Sequence, residues 1–150
     1  MGERARILVV DDDESVRKVL ATILEEKGYL VDTAENGKEA IKKSKTKIYN
    51  LALLDIRLPD MKGTKLLTAM KETTPKMIKI IMTGYPSLQN AIKAVNKGAD
   101  AYMLKPLNMD DALLTIKEQL KNQEQAKKYS EQKVVEFIET RAREFDEREP

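Results

Sequence analysis

Ile7-Leu8-Val9-Val10-Asp11-Asp12-Asp13 is a short apolar run that ends on three consecutive carboxylates. Such a run, bounded by polar residues, is the pattern of a strand covered on both faces, as in parallel sheets flanked by helices. The construction returns twice: residues 51–54 run into Asp55, and residues 101–104 run into Lys105-Pro106. In a parallel sheet the carboxyl ends of the strands lie along one edge, so these charged groups converge there although about 40 to 50 residues separate them in the chain.

The segments between these runs support that sheet. Residues 78–82 form a further apolar run, and residues 29–34 a more polar strand candidate, nearer an edge. Val16, Val19, Leu20, Ile23 and Leu24 mark one helical stripe, and Leu88, Ala91, Ile92 and Val95 mark another. Gly28 and Gly98 follow these stripes, where a left-handed helix C-cap is expected. Helices around residues 38–44, 65–72 and 109–120 complete five strand-helix repeats. Right-handed crossovers then give an α/β fold, a doubly wound five-stranded parallel sheet with helices on both faces. From Lys121 the composition turns polar, and Val134, Phe137, Ile138, Ala142 and Phe145 then resume an apolar stripe. The expected organisation is one domain over residues 1–121 and a helical extension or signalling linker over 122–150, an extended C-terminal helix with a weak point around residues 122–130.

Composition narrows the chemistry. The 150 residues are enough for one domain, and 27 basic against 25 acidic side chains, mixed along the chain, give a net charge of +2. No single-sign surface for nucleic acid or anionic lipid is implied. The chain has no Cys, which excludes disulfides, thiolate metal sites and thiol nucleophiles, and no His, the commonest general base and metal ligand. Chemistry must run on carboxylates, hydroxyls and lysine. No apolar run reaches the length of a membrane span, and strand-like sequence begins by Arg6 without room for a signal peptide, so a cytoplasmic protein is expected.

Asp11, Asp12 and Asp13 stand where the first strand turns into a helix, and capping that helix needs only one or two of them. With Asp55 on the same edge, each pair of carboxylates about 5 Å apart costs roughly 3 kcal/mol at an effective dielectric near 20. A hard divalent cation offsets that repulsion, and Mg²⁺ suits oxygen sites completed by water and phosphate. Asp55 is then the candidate nucleophile, able to store a phosphoryl group as an acyl phosphate. Lys105 supplies a fixed positive charge for phosphoryl oxygens, and Thr83, after residues 80–82, offers a hydroxyl at the same edge. Taken singly, Asp55 and Thr83 also read as turn residues and Lys105 as a solvated surface lysine. Pro59 and Gly63 shape a loop that exposes Asp55.

Val9-Val10-Asp11-Asp12-Asp13, Leu54-Asp55-Ile56-Arg57-Leu58-Pro59-Asp60-Met61-Lys62-Gly63, Met82-Thr83-Gly84-Tyr85 and Gly98-Ala99-Asp100-Ala101-Tyr102-Met103-Leu104-Lys105-Pro106 together resemble the receiver domain of two-component response regulators, over about residues 4–121. The resemblance implies a flavodoxin-like fold of the receiver type and transfer of a phosphoryl group to Asp55 from the phosphohistidine of a sensor histidine kinase. It implies Mg²⁺ bound directly by Asp12, Asp55 and the backbone carbonyl of Arg57, with Asp11 acting through water. It also implies a cis peptide between Lys105 and Pro106. In similar receivers Thr83 and Tyr102 would be switch residues acting on the surface of the fourth helix, fifth strand and fifth helix. Arg57 and Tyr85 would modulate phosphoryl lifetime, and their size predicts slow dephosphorylation. The protein would be no enzyme beyond its own phosphorylation and dephosphorylation. The output is expected either from a stand-alone receiver or through a C-terminal domain missing from this chain. A homodimer is expected through the fourth helix-fifth strand-fifth helix surface or through the C-terminal helix, whose stripe needs burial.

A phosphatase is the rival. Asp11-x-Asp13 after an apolar strand also resembles the first motif of haloacid-dehalogenase-like phosphatases. Against it, Asp110-Asp111 follows Pro106 and begins a helix, away from a strand end, and Asp55 would lose its role.

Overall fold

The computed structural model describes residues 4–70, 72–73, 76–84 and 87–148. Strands and helices alternate as β1 (Arg6–Val10), α1 (Glu14–Glu26), β2 (Leu30–Ala34), α2 (Gly37–Thr46), β3 (Leu51–Asp55), α3 (Gly63–Ala69), β4 (Ile78–Thr83), α4 (Leu88–Asn96), β5 (Ala101–Leu104) and α5 (Met109–Arg148). The strands form one sheet in the order β2-β1-β3-β4-β5, with every neighbouring pair parallel. This is the expected doubly wound fold, and the more polar strand β2 does lie at an edge.

Alternation along the strands divides the core in two. Leu8, Val10, Leu54 and Ile81 face Ala40 of α2, Leu66 and Leu67 of α3, and Ala94 of α4. Ile7, Val9, Leu53, Ile80 and Met82 face Leu20 and Leu24 of α1 and Ala112 and Ile116 of α5. Burial on both faces explains why β1 and β3 read as unbroken apolar runs, and each fully buried Leu or Ile contributes roughly 1.5–3 kcal/mol. Gly28 and Gly98 adopt φ of +94° and +104° after α1 and α4. The following amides, Tyr29 N–H and Ala99 N–H, reach back to the carbonyls of Leu24 (3.2 Å) and Ala94 (2.9 Å), which closes both helices as Schellman caps.

Three local expectations change. The stripe of α4 is not its buried face: α4 docks through the small Ala94, while Ile92 and Val95 stay exposed. The side chain of Leu88 lies outside the described residues. The helix expected over residues 65–72 runs instead as α3 from Gly63 to Ala69, and the Met70 N–H closes it on the Leu66 carbonyl. Lys79, inside β4, is buried, and its Nζ donates to the Leu67 carbonyl at 2.7 Å, near the carboxyl end of α3 where a cation is favoured. Burial pushes the Lys79 ammonium below its ordinary pKa.

The last helix is continuous across residues 122–130. Lys, Gln, Glu and Ala are good helix formers, and Gln123 ties this stretch to the amino ends of the strands. Its Nε2 donates to the carbonyls of Asn50 (2.9 Å) and Lys76 (2.8 Å), and its Oε1 accepts from Asn50 Nδ2 at 3.3 Å. Asn50 Oδ1 in turn accepts from the Arg6 N–H at 2.8 Å. No helix among the described residues is long and apolar enough to cross a membrane.

Candidate functional site

The three acids after β1 have different tasks. Asp13 is the N-cap of α1, its Oδ1 accepting from the Val16 N–H at 3.2 Å. Asp11 is fully buried; its N–H continues the ladder to the Ala34 carbonyl, and both of its carboxylate oxygens are engaged. Oδ1 accepts from the Asp13 N–H at 2.9 Å and Oδ2 from Lys105 Nζ at 2.5 Å. Arg17 Nη1 donates to the Asp11 carbonyl at 2.7 Å, a contact that sequence reading missed. Asp12 is exposed.

Asp55 is the last residue of β3, carried to the same edge by pairing with β1 and β4. Its Oδ1 accepts from the Arg57 N–H at 3.2 Å, and its Oδ2 lies 3.4 Å from Lys105 Nζ. Asp11, Asp12 and Asp55 each bring a carboxylate oxygen within 4.8 Å of the others. Burial pushes the Asp55 carboxyl above its ordinary pKa and Asp11 adds to this, while the Arg57 N–H and Lys105 pull it back only in part. Burial alone would lower the Lys105 ammonium, but the hydrogen bond and charge of Asp11, with Asp55, hold it above its usual range.

The donor set fits a hard divalent cation. Three carboxylates against one ammonium leave two negative charges among oxygen donors, the chemistry that Mg²⁺ takes. Asp12 is exposed, and the contacts of Asp55 at 3.2 and 3.4 Å are longer than the 2.9 and 2.5 Å bonds that hold Asp11, so Asp12 and Asp55 are the more available donors.

The remaining expected residues surround this cluster. Thr83 closes β4 and is fully buried; its carbonyl accepts from the Lys105 N–H at 2.7 Å. The Lys105-Pro106 peptide is cis. Tyr102 pairs with Ile81 and packs its ring against the α2-α3-α4 side of the core, with the hydroxyl buried and no hydrogen-bond partner among the described residues. Arg57 has an exposed side chain and forms an antiparallel bridge with Lys62. Tyr85 lies outside the described residues. Gly63 is required for close approach: a Cβ there would stand 2.5 Å from the Asp55 carbonyl oxygen and 2.8 Å from Ile56 Cα. Asp110 and Asp111 fall in the first turn of α5, not at a strand end.

Residues 7–117 match the response regulator receiver domain. The chain belongs to that family. A CheY-like receiver domain protein from Methanospirillum hungatei JF-1 superposes with a TM-score of 0.79 at 46% identity, over 83% of this chain and 99% of that one. The beryllofluoride-activated receiver domain dimer of NtrC4 superposes with a TM-score of 0.73 at 41% identity, over 79% of this chain and 98% of that one. The transcriptional regulatory protein ZraR of Klebsiella oxytoca is 41% identical over 119 residues, 79% of this chain and 27% of that protein. The receiver thus spans about a quarter of the length of the curated regulators it matches. Membership of this family displaces the phosphatase reading.

Proposed function

We propose that this receiver accepts a phosphoryl group on Asp55 from the phosphohistidine of a sensor histidine kinase, with Mg²⁺ held by Asp12, Asp55 and the Arg57 carbonyl and by Asp11 through water. The observation that carries the reading is the 4.8 Å cluster of Asp11, Asp12 and Asp55 beside Lys105 at one sheet edge. A carboxylate oxygen of Asp55 forms the new bond to phosphorus as the P–N bond of the phosphoimidazole breaks and the ring leaves with the electron pair. Lys105, already pinned by Asp11, meets the phosphoryl oxygens with a fixed positive charge. When bound, Mg²⁺ supplies charge neutralisation shared between the Asp carboxylates and the phosphoryl oxygens. The chain's lack of His is consistent with a donor imidazole on the partner.

A phosphoryl group adds close to two negative charges at Asp55. Thr83, at the end of the adjacent strand, is the residue placed to respond, and Tyr102, two strands from Asp55, carries the change toward α4, β5 and α5. Ile92 and Val95 of α4, Leu104 of β5 and Leu114 of α5 are exposed apolar side chains on these elements, a surface suited to protein contact. Arg57 and Tyr85 modulate how long the phosphoryl group survives. Residues 1–121 form the phosphoacceptor unit, and residues 122–150 act as a signalling helix whose apolar stripe pairs with a second copy. The phosphotransfer chemistry of the site suits a cytoplasmic regulator.

Labelling with a small phosphodonor such as acetyl phosphate tests the site. Wild type is expected to take up one phosphoryl group with Mg²⁺ and essentially none without it, and Asp55→Ala none in either condition. Equal labelling of wild type and Asp55→Ala would defeat the assignment; repeated hydrolysis of added phosphomonoesters would favour a phosphatase instead.

A further inference from the structure

The loop after Asp55 is held from a helix that makes no part of the acidic cluster. Asp60 accepts two backbone hydrogen bonds from the first turn of α2, from Gly37 N–H to Oδ1 and from Lys38 N–H to Oδ2, both at 2.9 Å. Asn36 takes the next amide, Glu39 N–H, at 2.8 Å, so the first three free amides of α2 are all satisfied and Asp60 provides two of them from 22 and 23 residues away. These bonds hold the Asp60 carboxyl below its ordinary pKa. Beside it, the Met61 side chain fills the space that a Cβ at position 37 would enter, so any larger residue there would have to displace it.

The other end of the same loop is closed on itself. Gly63 N–H donates to the Ile56 carbonyl at 2.7 Å and Leu58 N–H to the Met61 carbonyl at 3.2 Å. These two bonds flank the Arg57–Lys62 pair, which makes it a non-hydrogen-bonded antiparallel pair whose own amides and carbonyls point away from each other. The Arg57 N–H points accordingly at Asp55 Oδ1, and the carbonyl of an extended residue shares the side of its N–H. The direction of the Arg57 carbonyl is therefore set by a small closed loop whose tip, Asp60 and Met61, is fastened to α2.

We infer that Asp60 is a positioning residue for metal binding: by clamping the loop tip to the amino end of α2, it holds the Arg57 carbonyl at the acidic cluster. The inference rests on the metal reading above and goes beyond it, because it makes α2 a part of the site's scaffold. Asp60 touches neither the metal nor phosphate, so its loss acts on metal affinity and not on the reactivity of Asp55.

Calorimetric titration of the full chain with Mg²⁺ tests this, alongside phosphodonor labelling at varied Mg²⁺. Asp60→Ala should bind Mg²⁺ about tenfold more weakly than wild type, the low end of the usual cost of losing an outer-shell partner. Asp60→Asn keeps one carbonyl acceptor and the side-chain shape, and should recover part of that loss; it also serves should Asp60→Ala not fold. In labelling, the half-saturating Mg²⁺ concentration should rise by the same factor, while the rate at saturating Mg²⁺ stays within about twofold. A wild type that binds Mg²⁺, with both Asp60 variants binding as tightly, overturns the clamp alone. So does a lower saturated rate with unchanged half-saturation. A wild type that binds no Mg²⁺, matching Asp12→Asn, overturns the metal reading and the clamp with it.

Discussion

Asp11, Asp12 and Asp13 stand side by side in the chain and do three different things. Asp13 caps α1, Asp11 is buried against Lys105, and Asp12 is left exposed at the cluster. The ordinary capping explanation is therefore right for one of the three and fails for the other two. Thr83 is equally specific in its place: it ends β4, is fully buried, and its carbonyl holds the Lys105 amide. If Thr83 conveys the phosphoryl charge, Thr83→Ala leaves labelling of Asp55 within about threefold of wild type, since it removes no charged group from the site. The same change should shrink the phosphorylation-induced amide shifts at Ile92, Leu104 and Leu114 in heteronuclear NMR by more than about half. Full-sized shifts in the variant would remove Thr83 from the coupling.

At the scale of elements, Gln123 shows how a polar residue can hold a helix down. It sits where an apolar seam would place a Leu, yet it makes three hydrogen bonds to Asn50 and Lys76 at the amino ends of β3 and β4. Gln123→Leu would leave those carbonyls without this partner, and a loss of about 1–2 kcal/mol is expected in urea unfolding. Amides over residues 122–130 should exchange faster in that variant, and unchanged exchange would show that the helix needs no such anchor. The same residue explains a misreading. Gln123, Lys127 and Ser130 break the apolar period, and a break in period signals a frayed helix unless the partner carbonyls, 47 and 73 residues away, are known. Asp60 was hidden in the same way, since Pro59-Asp60 reads as a turn and nothing in it points to the amides of Gly37 and Lys38. The strands were legible because burial on both faces writes continuous apolar runs, and the acidic edge was legible because parallel strands end together. The stripe of α4 misled for the opposite reason: periodicity reports an apolar face but not which way it turns, and Ile92 and Val95 turn outward.

On the scale of the whole molecule, most of the large apolar side chains left exposed among the described residues fall in two places, the α4-β5-α5 face and the far half of α5, with Val19, Leu30 and Ile48 scattered elsewhere. Tyr129, Val134, Val135, Phe137, Ile138 and Phe145 are between 52% and 64% exposed on a helix with no tertiary partner beyond Gln123 among the contacts described. Val135, Ile138, Ala142 and Phe145 follow the 3-4 spacing of a two-stranded seam. Pairing of two such helices predicts a dimer mass by light scattering for the full chain and a monomer after truncation at residue 121. A monomer for the full chain at concentrations up to about 100 μM would exclude an association of micromolar strength.

α5 begins beside Pro106, at the edge that carries Lys105, and passes the opposite edge at Gln123 before running on to Arg148. α5 thus runs the length of the sheet, as α1 does, and then continues well past the sheet's amino end. From that second fixed point the helix projects about 37 Å, so a tilt of only about 5° sweeps its tip through about 3 Å. A shift of atomic size beside Lys105 would arrive at the far end as a stroke large enough to break or make a side-chain contact.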